Sequence, residues 1–496
     1  MTMVNFRVIL LNRVIYSVLL LISFGMILTK AITLPITHDE TATAVYYTRF
    51  SVWEIMMFPD SIPNNHILNT LLIKCITGVF GMEEWAVRLP SLLAFWLFGW
   101  AVYRICKQLI GERSPYFLAG ALLFLTNPYL NDFFSLARGY AMSTAFVLLS
   151  LSFLMDGMRT KRQRDLWWSL VFSMLATYAN MTALISLAAL VLFLLSAPFI
   201  WLDDRRKRIK FLGWIGLSLF GFLALIAMPI YKMSSGDQFQ FWSSQGIYKD
   251  TFLSLIDHWR YKWPLYFSKT SVWFALGGGV LLLGAVVRSI YLFRKVGMKA
   301  FGEPLVIAVL FFCLTVQVNI YQNTLLSTPN LSGRTALFLF PMFVAIVAGV
   351  IGQLSLLRIP KTLHFLVACS IIGGAVYHVQ TRTQFYDFRE WWFDANTFDV
   401  LHYLKDAPGQ KPLRLKTRWE FHPSFYFYCE TGKADYILLS DYDKNLEPTA
   451  EVDYYYVFDS DRPTMESHFE VVQEYFGGRV LMKKKLAVDT SAPDEQ

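Results

Sequence analysis

The segment "HILNTLLIKCITGVFG", His66 to Gly81, decides how this chain is threaded. It is apolar enough to pass for a membrane span. Its 16 residues would reach about 24 Å as a helix, short of a hydrocarbon core of about 30 Å. His66, Asn69, Thr70, Lys74 and Thr77 recur at helical spacing and give it one polar stripe. The segment therefore reads as a helix lying in the membrane interface.

That choice fixes the orientation of everything after it. A first span runs from about Val14 to Leu34, and the next from about Ala86 to Ile105, ending in "RICKQLIGERS". With the His66 segment outside the span count, the basic clusters "NFRVILLNR", "RICKQLIGERS", "RTKRQR", "DDRRKRIK", "FRKVGMK" and "RIPK" fall on one side. Counting it as a span would divide them between two sides. The remaining spans read as 115–130, 139–156, 165–179, 182–202, 211–230, 271–292, 303–322, 334–353 and 362–379, about eleven in all. The N-terminus is then cytoplasmic and the C-terminus extracytoplasmic. Domains 1–379 (membrane) and 380–496 (outside) follow.

Composition agrees. The 496 residues are 55% hydrophobic and 17% charged, and mean hydropathy is +0.40. Soluble domains carry about 25% charged residues. From Thr381 onward 14 Lys and Arg face 21 Asp and Glu, whereas the preceding part carries 31 against 16. This division matches positive-inside loops with a soluble acidic tail. It gives no basic soluble face for nucleic acid. Five cysteines, four of them in apolar segments, offer no disulfide framework and no CxxC metal spacing.

Three outward pieces are large: Pro35–Trp85, Tyr231–Thr270 and the tail from Gln380. The tail alternates helix "NTFDVLHYLKD", strand "LRLKTRW", helix "HPSFYFYCETG" and strands "ADYILLS", "VDYYYVFD" and "RVLMKKK", which describes a small α/β domain. The terminal "VDTSAPDEQ" has a disordered composition. Asp441, Asp443, Asp459 and Asp461 sit beside strand ends as turn residues.

The chemistry-bearing residues gather at outward ends of spans. "THDE", residues 37–40, follows the first span. Thr37-x-x-Glu40 matches a capping box, and Asp39 in a first helical turn favours the positive end of the helix. A helix start is also a rigid place to hold a carboxylate. Arg138 in "SLARGYAM" and Arg334 in "LSGRTALFLFPMF" begin spans. Such arginines snorkel, and they also clamp phosphate. His38, Asp39, Glu40 and His66 are the residues that could ligate a divalent cation. His258, Arg260, Lys262 and Lys269 in the second loop could close over a phosphate. Trp242, Trp259 and Trp263 read as interfacial belt residues.

At this point the sequence resembles the GT-C membrane glycosyltransferases, in the branch with protein O-mannosyltransferases and the lipid A aminoarabinose transferase. "HDE" follows the first span; "NNHILNTLLIKCITGVFGMEEWAVRLPSLLAFW" resembles the family's "HPPL…FG…E...RLPS" stretch; "ARGYA" resembles "AR.YA"; and "GRTALFLFPMF" resembles "RY..P..P". Ile67 and Leu68 stand where the family has prolines, and Pro63-Asn64-Asn65 replaces an acidic–basic pair that some members carry.

The resemblance implies a polytopic α-helical GT-C protein of the bacterial inner membrane with a small extracytoplasmic α/β domain. It implies inverting transfer of a sugar from a polyprenyl-phosphate carrier to a protein, lipid or glycan acceptor. Asp39 would be the general base and Glu40 its support. His66, Asn69, Lys74, Arg88, Arg138, Tyr140, Lys269 and Arg334 would bind substrate. No cofactor is required, although a divalent cation near His38, Asp39 and His66 is compatible. The other readings are a transporter or flippase of a lipid-linked glycan and a non-catalytic membrane partner. A transporter expects charges at span midpoints and broken helices, whereas here charges cluster at outward ends.

Overall fold

The structure, a computed structural model, describes residues 3–202, 204–236, 245–261, 269–444, 446–449 and 451–485. Two compact units emerge: Met1–Ile32 with Tyr47–Gln384, and Thr33–Tyr46 with Phe385–Gln496. The "THDE" stretch thus belongs to the same unit as the C-terminal sheet domain.

The first unit is helical. Among the described residues eight helices are long and apolar enough to cross a membrane: Phe6–Thr33, Glu84–Leu109, Gly139–Thr160, Met181–Trp201, Arg205–Ser235, Thr270–Gly302, Pro304–Leu326 and Lys361–Arg382. The protein is an integral membrane protein on this ground. Expected spans at 165–179 and 334–353 are helices Gln163–Ala179 and Leu339–Leu354, of 17 and 16 residues.

The span expected over 115–130 is corrected: it divides into Phe117–Leu125 and Pro128–Phe134. Asn127 is the reason. Its extended backbone starts a new helix, its side-chain oxygen accepts the Leu130 N–H at 3.1 Å, and Pro128 follows at the first helical position. Proline there gives up an N–H that has no intrahelical partner in any case.

The segment that opened the reading is a 14-residue helix, Ile67–Phe80. At about 21 Å it is shorter than a bilayer core. Its polar stripe is turned inward, with Asn69 and Thr70 fully buried and Thr77 largely so.

The second unit holds a five-stranded sheet: β1 (Leu413–Thr417), β2 (Ile437–Leu439), β3 (Tyr454–Phe458), β4 (Phe469–Tyr475) and β5 (Arg479–Lys484), in the order β2-β1-β3-β5-β4. β1 runs parallel to β2 and β3, while β5 is antiparallel to β3 and β4. Helix His422–Glu430 is the crossover between the parallel pair β1 and β2. β3 occupies the centre, which explains why "YYYVF" is buried on both faces. One face packs Tyr455, Val457, Met465, Phe469, Val480 and Met482. On the other, Tyr456 meets Phe421 at 4.7 Å and Phe425 at 5.6 Å between ring centroids.

β4 is absent from the sequence reading. It is an edge strand whose side chains are mostly outside the core, so "FEVVQEY" lacks an apolar run. The hairpin signal lies just after it, where Gly477 and Gly478 take positive φ of 82° and 71° between β4 and β5. The terminal segment "VDTSAPDEQ" lies outside the described residues.

Candidate functional site

The turn carrying Asp39 is short. Thr37 is extended, and His38–Thr41 forms one helical turn that continues as wider turns to Tyr46. Half of the expected box is formed: the Thr37 N–H donates to Glu40 Oε2 at 2.9 Å. Thr37 Oγ1 is buried with no partner among the described residues. Glu40 is fully buried, and its carboxylate fastens the turn. Asp39, by contrast, is half-buried. The two adjacent carboxylates thus have different surroundings, as only one is enclosed.

The rest of the second unit holds this turn at several points. The Ile36 N–H donates to the Tyr428 hydroxyl at 2.9 Å, and Ser424 Oγ donates to the Ile36 carbonyl at 2.5 Å. The His38 N–H donates to Asp394 Oδ2 at 2.8 Å. The His38 ring bonds through Nδ1 to the Glu420 carbonyl at 2.9 Å, so Nδ1 carries the proton. Its edges meet Phe393 and Trp419 at 6.5 and 5.9 Å. Sequence reading could not find Asp394, Glu420, Ser424 or Tyr428, because they lie more than 350 residues from the turn.

In the membrane unit, His66, Arg138, Tyr140 and Arg334 come together. Arg138 is the residue before helix Gly139–Thr160 and is almost fully buried. Its Nη1 donates to the Asn64 carbonyl at 3.3 Å and its Nη2 to Asn64 Oδ1. Arg334 lies in the turn Gly333–Ala336 that leads into helix Leu339–Leu354. The two guanidinium carbons lie 5.9 and 6.0 Å from the Tyr140 ring. The His66 ring meets that same ring edge-on at 4.7 Å.

His66 is enclosed. Its imidazole is held well below the usual histidine range, first by burial and then by the positive charges of Arg138 and Arg334. Its Nε2 is buried with no partner among the described residues. The ring N–H bonds the Ala179 backbone, so the unpartnered Nε2 is an acceptor, and the positive charge of the locality comes from the two guanidinium groups alone. Such a locality suits an anion better than a cation.

Two glycines make the approach possible. A Cβ on Gly139 would fall 2.0 Å from the Ala179 carbonyl oxygen and 2.9 Å from His66 Cβ. Gly333 has φ +48°, and a Cβ there would meet His258 Cε1 at 3.2 Å.

The other expected binding residues have specific partners. Asn69 Nδ2 donates to the Ala137 carbonyl at 3.0 Å, bracing the chain just before Arg138. Lys74 Nζ donates to the Thr48 carbonyl at 2.7 Å. Arg88 is fully buried, and its Nη1 donates to the Ala31 carbonyl at 2.9 Å, near the end of the first helix. That carbonyl lies in the last turn, where it has no intrahelical donor. Arg260 donates to Ser271 Oγ at 2.5 Å and pairs with Asp257 at 3.6 Å. The Lys269 side chain lies outside the described residues, as do Lys262, Trp242 and Trp263. Trp259 stacks on His378 at 4.5 Å.

Missed in the sequence was a buried ionic group within the same unit. Lys30 Nζ pairs with Asp132 Oδ1, and the Tyr261 hydroxyl donates to Asp132 Oδ2. The Lys30 and Asp132 side chains are 5% and 4% exposed. The available signal was a lysine inside the apolar run "LISFGMILTKAIT". Among the described residues, no group of three His, Cys, Asp or Glu side chains could hold a metal ion. All five cysteines are free.

An integral membrane protein with arginines at helix starts and a small sheet domain that grips a carboxylate turn is what fold and site define. Comparison with known proteins narrows this. The family described as dolichyl-phosphate-mannose-protein mannosyltransferase matches residues 65–227. That stretch includes His66, Asn69, Lys74, Arg88, Arg138 and Tyr140. The crystal structure of ArnT from Cupriavidus metallidurans in the apo state aligns with TM-score 0.53 and 12% identity, over 95% of this chain and 97% of that one. The same protein bound to undecaprenyl phosphate aligns with TM-score 0.51 and 11% identity, with the same coverage. No curated protein matches the chain in sequence. The chain shares the fold of these ArnT structures, and residues 65–227 carry the match to the mannosyltransferase family.

Proposed function

We propose that the protein is an inverting glycosyltransferase that moves a sugar from a polyprenyl-phosphate carrier to an acceptor hydroxyl or phosphate on a protein, lipid or glycan. The observation that carries this reading is the pairing of Arg138 and Arg334 around Tyr140 and neutral His66. Support comes from the family matched by residues 65–227 and from the fold shared with a protein whose structure holds undecaprenyl phosphate.

In this mechanism Asp39 is the general base. It takes the proton of the acceptor as the acceptor oxygen attacks the anomeric carbon. The bond from that carbon to the carrier phosphate breaks on the opposite face, so configuration inverts. The phosphate leaves as an anion and needs no acid; Arg138 and Arg334 stabilise its charge. Tyr140 and Asn69 shape and brace this anion site. Glu40 holds the turn, and Arg88 and Lys74 hold the surrounding backbone. The membrane is the bacterial inner membrane, with the N-terminus cytoplasmic and the C-terminal domain outside.

The anion site is tested by titrating purified protein with a polyprenyl phosphate. A charge-assisted hydrogen bond contributes about 1.5–3 kcal/mol, so Arg334→Gln weakens binding by about 10- to 100-fold. Unchanged affinity in a folded Arg334→Gln protein contradicts the assignment.

A further inference from the structure

We propose that Asp394 is a positioning residue for the base: with Ser424 and Tyr428 it makes the C-terminal domain the mount that aims Asp39. This rests on the reading of Asp39 as the base and adds what holds it. Asp394 accepts the amide N–H of His38, the residue immediately before Asp39, at 2.8 Å. Ser424 and Tyr428, both on helix His422–Glu430, take the carbonyl and the amide of Ile36 at 2.5 and 2.9 Å. His38 is further bonded to the Glu420 carbonyl. The turn is one α-helical turn followed by wider turns to Tyr46, too short a stretch to hold a fixed orientation alone. Its orientation therefore comes from these contacts.

Asp394 is 1% exposed, and its Oδ1 is buried with no partner among the described residues. Burial first, and then the negative charge of Asp39 and Glu40, raise its proton affinity well above the ordinary carboxyl range. In either protonation state the carboxyl accepts the His38 amide through Oδ2. Asparagine has the same shape and the same acceptor, so it can replace Asp394 in this role. Alanine cannot.

The experiment measures kcat and donor KM with labelled polyprenyl-phosphate sugar for Asp39→Asn, Asp394→Ala and Asp394→Asn. A misplacement of about 1 Å costs about 10²-fold in rate. Asp394→Ala is expected to lower kcat by about 10- to 100-fold with donor KM unchanged, and Asp394→Asn to stay within about twofold of the parent. Wild-type kcat in Asp394→Ala, with Asp39→Asn inactive, overturns the positioning role and leaves the base assignment standing. Full activity in Asp39→Asn overturns the base itself. Loss of activity in Asp394→Asn equal to that in Asp394→Ala also overturns the proposal, because asparagine keeps the acceptor oxygen on which the positioning rests. If Asp394→Ala does not fold, Ser424→Ala and Tyr428→Phe decide: lowered kcat at constant donor KM supports the mount, and unchanged kcat in both overturns it.

Discussion

Gly139→Ala adds one methyl group at the point where two helices and the anion cluster meet. The new carbon would lie 2.0 Å from the Ala179 carbonyl oxygen, 3.0 Å from the Ala179 carbonyl carbon and 2.9 Å from His66 Cβ. Ordinary contact between such atoms is about 3.5–4.0 Å. The closest atom is backbone at the end of helix Gln163–Ala179, so no rotamer change relieves the clash. Relief requires a shift of roughly 1.5–2 Å in Ala179, in His66 or in the start of helix Gly139–Thr160. Overpacking of this kind costs about 1–3 kcal/mol. Two measurements on detergent-purified protein check it: the melting temperature, and affinity for a polyprenyl phosphate. Both are expected to fall, because Arg138 and His66 flank the displaced atoms. Gly213→Ala serves as the control, since a Cβ there meets nothing within 4 Å; it is expected to be neutral or slightly stabilising. If Gly139→Ala melts and binds like the parent, the close approach of these elements is not a feature of the protein.

Asp132→Ala leaves Lys30 buried beside a missing partner, which costs about 3–5 kcal/mol. The double variant Lys30→Met with Asp132→Leu removes both charges and should melt above the Asp132→Ala single variant; equal melting would show that the pair is not coupled. For Asp394 the sign of the pH dependence follows from its raised proton affinity. Between the unfolded carboxyl value of about 3.9 and the higher folded value the native state binds more protons, so stability falls as pH rises through that window. Asp394→Asn should therefore melt above the parent at pH 8 and match it below about pH 4. A lower melting temperature for Asp394→Asn at pH 8 contradicts this sign.

The sequence reading reached the parts of the structure that depend on local pattern. Long apolar runs located the spanning helices, and the short polar-striped run at His66 is the short helix it describes. Arg138 and Arg334 were recognised from their position at span starts, and they do share Tyr140. Where a local signal was overlooked, the reading failed locally: Asn127-Pro128 broke a presumed span, and Gly477-Gly478 closed a hairpin around the charged edge strand β4. For other features the partner had no local signal. Nothing near residues 33–46 tells that they pack on a helix at 422–430, and nothing in "LNDFF" tells that Asp132 meets Lys30 across 102 residues. The inequality of Asp39 and Glu40 became concrete for the same reason, since burial is set by chain segments far away in sequence.

The central claim is that Asp39 removes the proton of the acceptor. Its most direct test is transfer by Asp39→Asn in membranes supplied with labelled polyprenyl-phosphate sugar, alongside Glu40→Gln. General-base catalysis contributes about 10²- to 10⁴-fold, so the account predicts a loss of that size for Asp39→Asn in protein that expresses and melts normally. Transfer at the parental rate by folded Asp39→Asn contradicts it.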